Sequence, residues 1–119
     1  MFNQITIMGR LAKEPDMRRT RDDVTVTSFT VAVERDFGEK ATDFIDCVAW
    51  RHTAEFVEEY FHKGDQILVT GRLQSRKWED KECHKRTSWE INVNGVYFAQ
   101  TAPTKETFEE LDDEGEIPF

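Results

Sequence analysis

The feature that most constrains the fold is a period-two alternation of apolar and polar side chains along residues 66–78. Ile67, Val69 and Leu73 fall on one face of this segment, together with Gly71. Because successive side chains of a strand lie on opposite faces, the pattern predicts a half-buried strand. The face turned away from the core carries the remaining side chains: Leu68, Thr70, Arg72, Gln74, Arg76 and Trp78.

Two interpretations of that open face follow from its chemistry. Guanidinium groups pair with phosphates and an indole ring stacks on a base, so Arg72, Arg76 and Trp78 suit a single-stranded nucleic acid. Alternatively, the segment is an edge strand that charged side chains protect from aggregation, with Trp78 as a partly covered core ring. This strand alone does not separate the two interpretations.

The rest of the chain supplies four more strands and one helix. Residues 52–63 change to helical spacing, with Ala54, Val57 and Phe61 on one stripe. The order of three strands, one helix and two strands predicts an all-β, five-stranded Greek-key barrel of the OB-fold type, with the helix between strands 3 and 4. The other predicted strands are residues 4–11, 24–35, 43–51 and 87–98.

Local signals refine this outline. Thr53 is predicted to cap the helix N-terminus, and Gly64 is predicted to terminate the helix. The cluster of Arg18, Arg19 and Arg21 is predicted to lie on a turn after the first strand. Glycine on the inner face of a strand indicates a bend or close backbone approach, as expected for the coiled strands of a small barrel.

Charge divides the chain into a body and a tail. The net charge is −8, yet residues 101–119 hold seven acids and one base and therefore account for −6 of it. The tail also contains two prolines and has no periodicity, so it is predicted to be disordered. We therefore predict an OB-fold domain over residues 1–99, a short flexible linker over 100–111 and an acidic tip over 112–119.

Aromatic and basic residues outline a candidate binding surface. In the third strand, Phe44 and Trp50 share the parity of Asp46, whose charge opposes a phosphate path. Trp89 shares the parity of Ile91, which favours a core position but leaves contact with DNA open. The predicted base-stacking rings are Phe37, Phe44, Trp50 and Trp78. The predicted phosphate contacts are Arg10, Arg18, Arg35, Arg51, Arg72, Arg76, Lys77, Lys85 and Arg86.

The sequence contains no catalytic constellation, phosphate-cradling glycine loop or metal-ligand spacing, so we predict a binding protein with no enzymatic activity, cofactor or metal. It has no apolar run long enough to cross a membrane. Cys47 and Cys83 are isolated thiols, and no signal-peptide pattern is visible. These features predict a reducing, cytoplasmic compartment.

Several of these segments together resemble the bacterial-type single-stranded DNA-binding proteins. The likeness covers nearly the whole chain, and its ending, an acidic run that closes with Ile-Pro-Phe, is the most specific motif. The matching segments are residues 7–11 with 14–16, 42–50, 60–64, 71–78 and 116–119.

The resemblance implies a homotetramer of OB folds that wraps single-stranded DNA in the bacterial nucleoid, or in the host cytoplasm if a phage encodes it. It places base stacking on the four rings already named. It also implies a tip that recruits replication, repair and recombination proteins through Asp112, Asp113, Glu114, Glu116, Ile117, Pro118 and Phe119. The rival functions are an RNA-binding OB module and a protein-interaction hub with weak DNA binding.

Overall fold

A computed structural model describes residues 1–99, so the predicted linker (100–111) and acidic tip (112–119) lie outside the described part of the chain. Six strands and one helix make up this part. They are β1 (Ile5–Leu11), β2 (Asp16–Arg19), β3 (Thr25–Glu34), β4 (Thr42–Trp50), α1 (Arg51–Tyr60), β5 (Gln66–Glu79) and β6 (Lys85–Phe98).

Five of the strands close into a barrel. The sheet order is β1-β5-β6-β4-β3-β2, and an additional antiparallel pairing of β1 with β3 closes the barrel and leaves β2 at the edge of β3. β4 and β6 pair in parallel, whereas the other neighbours are antiparallel. With α1 between β4 and β5, this arrangement confirms the predicted OB fold.

β2 is the element that the sequence prediction placed in a turn. Asp16, Arg18 and Arg19 pair with Ser28, Val26 and Thr25 of β3, and only Arg21 of the basic cluster lies on the following turn. All four β2 side chains are exposed, so the segment has no alternation of apolar and polar residues. Strand pairing at this edge therefore leaves no signal in the hydrophobic pattern.

The interior is filled from alternate positions of the strands and from one stripe of α1. Thr27 is fully buried, and its hydroxyl donates a 2.9 Å hydrogen bond to the Ala54 carbonyl, which ties β3 to the helix. The buried apolar side chains are Leu11, Phe29, Val31, Cys47, Ala49, Ala54, Val57, Phe61, Ile67, Val69, Ile91 and Val93.

Both predicted helix boundaries are wrong. α1 begins at Arg51 with Trp50 at the N-cap, where no side chain caps the helix, so Thr53 lies inside it. At the other end Phe61 is extended and 1% exposed, which places its ring in the core and ends the helix. Gly64 instead occupies the turn before β5, with φ +92 and its amide bonded to the Leu11 carbonyl.

Gly9 and Gly71 lie where the barrel wall bends. A Cβ on Gly9 would collide with the Ala32 carbonyl oxygen of β3, and a Cβ on Gly71 would collide with the Asn92 carbonyl oxygen of β6. The β5–β6 register also shifts between Thr70 and Gly71. The close backbone approach that the sequence predicted is therefore present at both positions.

Candidate functional site

Strand register assembles one outer surface from several strands. Val48 of β4 is paired with Asn92 of β6, and Asn92 is paired with Arg72 of β5. Paired residues project to the same side of a sheet, so these three side chains lie next to one another on the outside of the barrel. We call this surface the outer face. Its β5 and β6 members are Arg72, Gln74, Arg76, Trp78, Arg86, Ser88, Glu90 and Asn92.

β4 contributes two of the four predicted rings to the outer face. Phe44 is 66% exposed and Trp50 is 42% exposed, at the two ends of the strand. The intervening positions Cys47 and Ala49 are buried, so the alternation predicted from the sequence is confirmed. The residues paired with the two rings on β3 are Ala32 and Val26, which are smaller than the rings they face.

The other two predicted rings, Trp78 and Phe37, lie on the β5–β6 hairpin and on a loop beyond the barrel strands. Trp78 is 41% exposed near the end of β5, and its indole N–H donates a 2.7 Å hydrogen bond to the Ser88 hydroxyl of β6. Phe37 is almost fully exposed on the loop between β3 and β4. Arg35 closes the base of that loop with a backbone bond to Ala41. Both rings are accessible to a ligand.

Most of the predicted phosphate-binding arginines already have partners. Ion pairs join Arg18 to Asp16 at 3.6 Å, Arg35 to Asp43 at 2.9 Å, Arg76 to Glu90 at 3.7 Å and Arg86 to Asp80 at 3.0 Å. Arg10 donates to the Gly64 carbonyl. Within residues 1–99, no ion pair within 4.0 Å involves the remaining four cations: Arg51, Arg72, Lys77 and Lys85.

The Arg35–Asp43 pair is the best formed of these. Two hydrogen bonds, of 3.0 Å and 2.9 Å, join the guanidinium to the two carboxylate oxygens. The hydrogen bond from Arg35 lowers the pKa of Asp43, and the bond to Asp43 raises the pKa of Arg35. A phosphate that binds Arg35 must compete with this carboxylate.

Two carboxylates interrupt the outer face. A groove of about 210 Å³ is lined by Asp46 and Glu90, with Arg76 and Lys13 among its other residues. Asp46 also accepts a 3.1 Å hydrogen bond from the Thr30 hydroxyl. Beneath the groove, burial raises the pKa of the Cys47 thiol to about 12, with smaller contributions from Asp46 and Glu90. The thiol is therefore protonated and unreactive at neutral pH.

Three of the candidate residues on the β5–β6 hairpin lie on the side of it opposite the outer face. Lys77 and Lys85 have the opposite parity to Trp78, and so does Trp89, which is paired with Ser75. Trp89 is 60% exposed, so the core position that its parity favoured is wrong. The β5–β6 hairpin extends past the barrel, so side chains there that share the parity of the core residues are not buried.

Asp80, which the sequence prediction did not single out, organises the tip of that hairpin. Its carboxylate accepts hydrogen bonds from the amides of Glu82 and His84, each 2.9 Å, and from Arg86 at 3.0 Å. The His84 amide is the main cause of its lowered pKa. Aspartate at the start of a short polar segment favours a turn of this kind, and that was the signal available in the sequence.

Neither a cluster of potential metal ligands nor a helix able to span a membrane is found in residues 1–99. No group of three or more His, Cys, Asp or Glu side chains in this range is placed to hold a metal ion. No helix there is long and apolar enough to cross a bilayer.

The sequence model of the single-strand binding protein family matches residues 2–99 of this chain. The chain belongs to this family. The match covers the whole OB-fold domain, including both ring-bearing strands and the β5–β6 hairpin. Family membership therefore agrees with the resemblance carried by the sequence motifs.

Individual relatives give the same picture. The chain is 40% identical over 104 residues to the single-stranded DNA-binding protein of Caldanaerobacter subterraneus, covering 84% of this chain and 69% of the relative. Single-stranded DNA-binding protein A of Bacillus subtilis is 38% identical, with 84% of this chain and 60% of the relative covered. Single-stranded DNA-binding protein 1 of Staphylococcus aureus is 40% identical, with 84% of this chain and 62% of the relative covered. The chain thus spans roughly two thirds of the length of the curated relatives it matches.

Proposed function

We propose that this chain binds single-stranded DNA without sequence specificity and coats it during replication, recombination and repair, without catalysing a reaction. The observation that carries the proposal is that Phe44, Trp50 and Trp78 are all exposed on the outer face that also bears Arg72 and Arg76. Rings stack on any base and cations neutralise phosphates, so such a surface binds single strands with little base preference.

The test is a titration with oligo-dT at low salt, followed by quenching of tryptophan fluorescence and by anisotropy of a labelled oligonucleotide. We expect saturable binding that duplex DNA of the same length does not displace. Competition between poly-dT and poly-rU separates DNA binding from an RNA-binding OB module, and labelled DNA that stays intact with Mg²⁺ separates binding from nuclease activity. Absence of binding to any single strand would contradict the proposal.

We further propose that the chain assembles into a homotetramer. Met8, Leu68 and Tyr97 are paired side by side across β1, β5 and β6, and Met8 and Tyr97 are about half exposed. An apolar stripe that crosses three strands is a surface that association would cover. Light scattering should give the mass of four chains, and Met8→Glu should lower it. A parent protein with the mass of one chain would refute the assembly.

Recruitment of replication, repair and recombination proteins is proposed for residues 112–119. The segment joins four acids to Ile117, Pro118 and Phe119, which suits a partner with an apolar pocket inside a basic surface. Phe119→Ala leaves the charge unchanged and should abolish capture of such partners from a bacterial lysate, while DNA affinity stays the same. Equal capture by the parent and Phe119→Ala would end this proposal.

Recruitment of that kind places the protein with DNA in the bacterial cytoplasm, or in the host cytoplasm if a phage encodes it. A fluorescent fusion in a bacterial cell should therefore co-localise with the nucleoid.

A further inference from the structure

The β5–β6 hairpin has two faces, and only one of them belongs to the outer face. β4 is paired with β6 only at Cys47–Ile91 and Val48–Asn92, and β1 is paired with β5 only as far as Gly71. Beyond these points β5 and β6 pair only with each other in the described part of the chain. Residues 74–79 and 85–90 therefore form a two-stranded ribbon that no other strand flanks in the described part of the chain.

We call the side opposite Trp78 the far face. Its chemistry repeats that of the outer face on a smaller scale, because it carries one tryptophan and two cations. In the strand register, Trp89 lies opposite Ser75, Lys77 lies opposite Thr87, and Lys85 lies opposite Glu79. The far face thus consists of Ser75, Lys77, Glu79, Lys85, Thr87 and Trp89.

Trp89 is the most exposed of the chain's three tryptophans, at 60% against 42% for Trp50 and 41% for Trp78. Its partner Ser75 is small and also exposed. Leu73, the next inward-parity residue towards the barrel, is 39% exposed. An indole with this much open surface can receive a flat ligand without any rearrangement of the strands.

The charges of the far face favour an anionic ligand. Lys77 and Lys85 form no ion pair within 4.0 Å in residues 1–99, unlike Arg76 and Arg86 on the opposite side of the same ribbon. Glu79 is the only carboxylate on the far face, so the net charge of the far face is positive. Unpaired lysines bind phosphate without first giving up a carboxylate partner.

A concavity joins the two faces at the outer end of the ribbon. Its volume is about 450 Å³, and it is lined by Lys77, Glu79, Lys85 and Thr87 of the far face together with Trp78 and Arg86 of the outer face. A single strand that leaves Trp78 therefore meets a continuous surface around the ribbon's end.

We propose that the far face is a second contact surface for the same DNA strand, with Trp89 as an additional stacking ring and Lys77 and Lys85 as its phosphate contacts. The strand runs along the outer face, passes over the end of the hairpin at Trp78 and returns along the far face. This inference rests on the proposed single-stranded DNA binding and extends it to a ring outside the barrel's own surface.

The first experiment isolates Trp89 as a fluorescent reporter. The variant Trp50→Phe/Trp78→Phe keeps a flat ring at both outer-face positions and leaves Trp89 as the only tryptophan. Oligo-dT of graded length is added while binding is followed separately by anisotropy of a 5′-labelled strand. We expect the shortest strands that bind, about 4–8 nucleotides, to leave Trp89 fluorescence unchanged and longer strands to quench it.

Two results of this titration have different meanings. Saturated binding of long oligo-dT with unchanged Trp89 fluorescence would overturn the far-face proposal and leave the DNA-binding function intact. Failure of the parent protein to bind any oligo-dT at low salt would overturn the DNA-binding function itself.

The second experiment compares truncations of the two hairpin tryptophans. Trp89→Ala should lower the affinity for long oligo-dT by roughly 5- to 150-fold and leave the affinity for the shortest strands unchanged. Trp78→Ala should weaken binding at every length. Trp89→Phe should restore binding of long strands, and Tyr60→Ala, which removes a half-exposed ring from α1, should have no effect at any length.

The lysines are tested through the salt dependence. Lys77→Gln/Lys85→Gln should make the slope of log affinity against log salt shallower by about 1.4 for long strands, because each neutralised lysine removes a phosphate interaction that contributes about 0.7. The slope for the shortest strands should stay the same. A fall in the solution mass of Trp89→Ala, with unchanged affinity for long strands, would show instead that the far face contacts a second copy of the chain and would overturn the proposal.

Discussion

Trp78 and Ser88 are joined across the β5–β6 hairpin by a 2.7 Å hydrogen bond from the indole N–H to the hydroxyl oxygen. An indole has a single N–H donor, so this bond fixes how the ring is oriented relative to the ribbon. The ring remains 41% exposed. Ser88 therefore preorganises an open stacking surface near the outer end of the hairpin.

We expect Trp78→Ala to weaken binding of oligo-dT by roughly 1–3 kcal/mol, because one base loses its stacking partner. Ser88→Ala should cost less, since the ring stays but is held less firmly. Trp78→Phe should fall between the parent and Trp78→Ala. Anisotropy titrations at one fixed salt concentration measure all four proteins, and equal affinity of Trp78→Ala and the parent would remove Trp78 from the binding surface.

Asp43→Asn is predicted to increase DNA affinity at low salt. The substitution removes the bidentate partner of Arg35, so the guanidinium becomes available to a phosphate close to the Phe37 loop. The slope of log affinity against log salt should become steeper by about 0.7, the contribution of one phosphate interaction. Titrations of oligo-dT over a series of salt concentrations measure both quantities.

The matched control is Glu39→Gln, which removes the same charge from the loop that precedes β4. In residues 1–99, Glu39 forms no ion pair within 4.0 Å, so its neutralisation frees no arginine. Equal effects of the two substitutions would show that only the overall charge matters. Weaker binding by Asp43→Asn would show that the pair serves chiefly to hold the Phe37 loop.

Strand alternation predicted the outer face well because parity is a local property of the sequence. The positions of Phe44 and Trp50 on β4 differ by an even number, and both side chains are exposed as expected. Parity does not predict which residues of neighbouring segments lie opposite one another, and the structure was needed to show this. Arg76–Glu90 joins β5 to β6, and Arg35–Asp43 joins the residue after β3 to β4, so these partners could not be read from spacing along the chain.

Trp89 shows where the parity argument ends. Ile91 and Trp89 have the same parity on β6, yet Ile91 is fully buried and Trp89 is 60% exposed. The difference arises because β4 and β1 stop pairing at Cys47 and Ile5, while β5 and β6 continue. The length of a hairpin beyond its barrel depends on where neighbouring strands end, which the alternation within the hairpin does not contain.

Gly71→Ala is predicted to destabilise the folded domain by about 1–3 kcal/mol, the usual cost of overpacking. The added methyl group would collide with the Asn92 carbonyl oxygen, which is backbone and cannot rotate away. Ser75→Ala on the same strand is the control, because its side chain is exposed. Urea unfolding measures both, and a Gly71→Ala midpoint equal to that of the parent would show that the wall relaxes around the methyl group.

Asp80 makes the stability of the hairpin tip depend on pH. Its pKa is lowered in the folded protein, chiefly by the hydrogen bond from the His84 amide. A group with a lowered folded-state pKa stabilises the fold at pH values above its unfolded pKa, about 3.9 for aspartate, and this contribution is lost as the pH falls through the folded-state value. Asp80→Asn should therefore be less stable than the parent at pH 7.

The difference between the two proteins should shrink as the pH falls below about 4, because the parent's own Asp80 then becomes protonated. Urea midpoints measured between about pH 7 and about pH 2.5 report the difference, and hydrogen exchange at the Glu82 and His84 amides reports the tip directly. Glu79→Gln is the control for charge alone, because it neutralises an exposed acid next to Asp80 that forms no ion pair within 4.0 Å in residues 1–99. A difference between the parent and Asp80→Asn that stays constant across this pH range would show that the ionised carboxylate does not stabilise the tip.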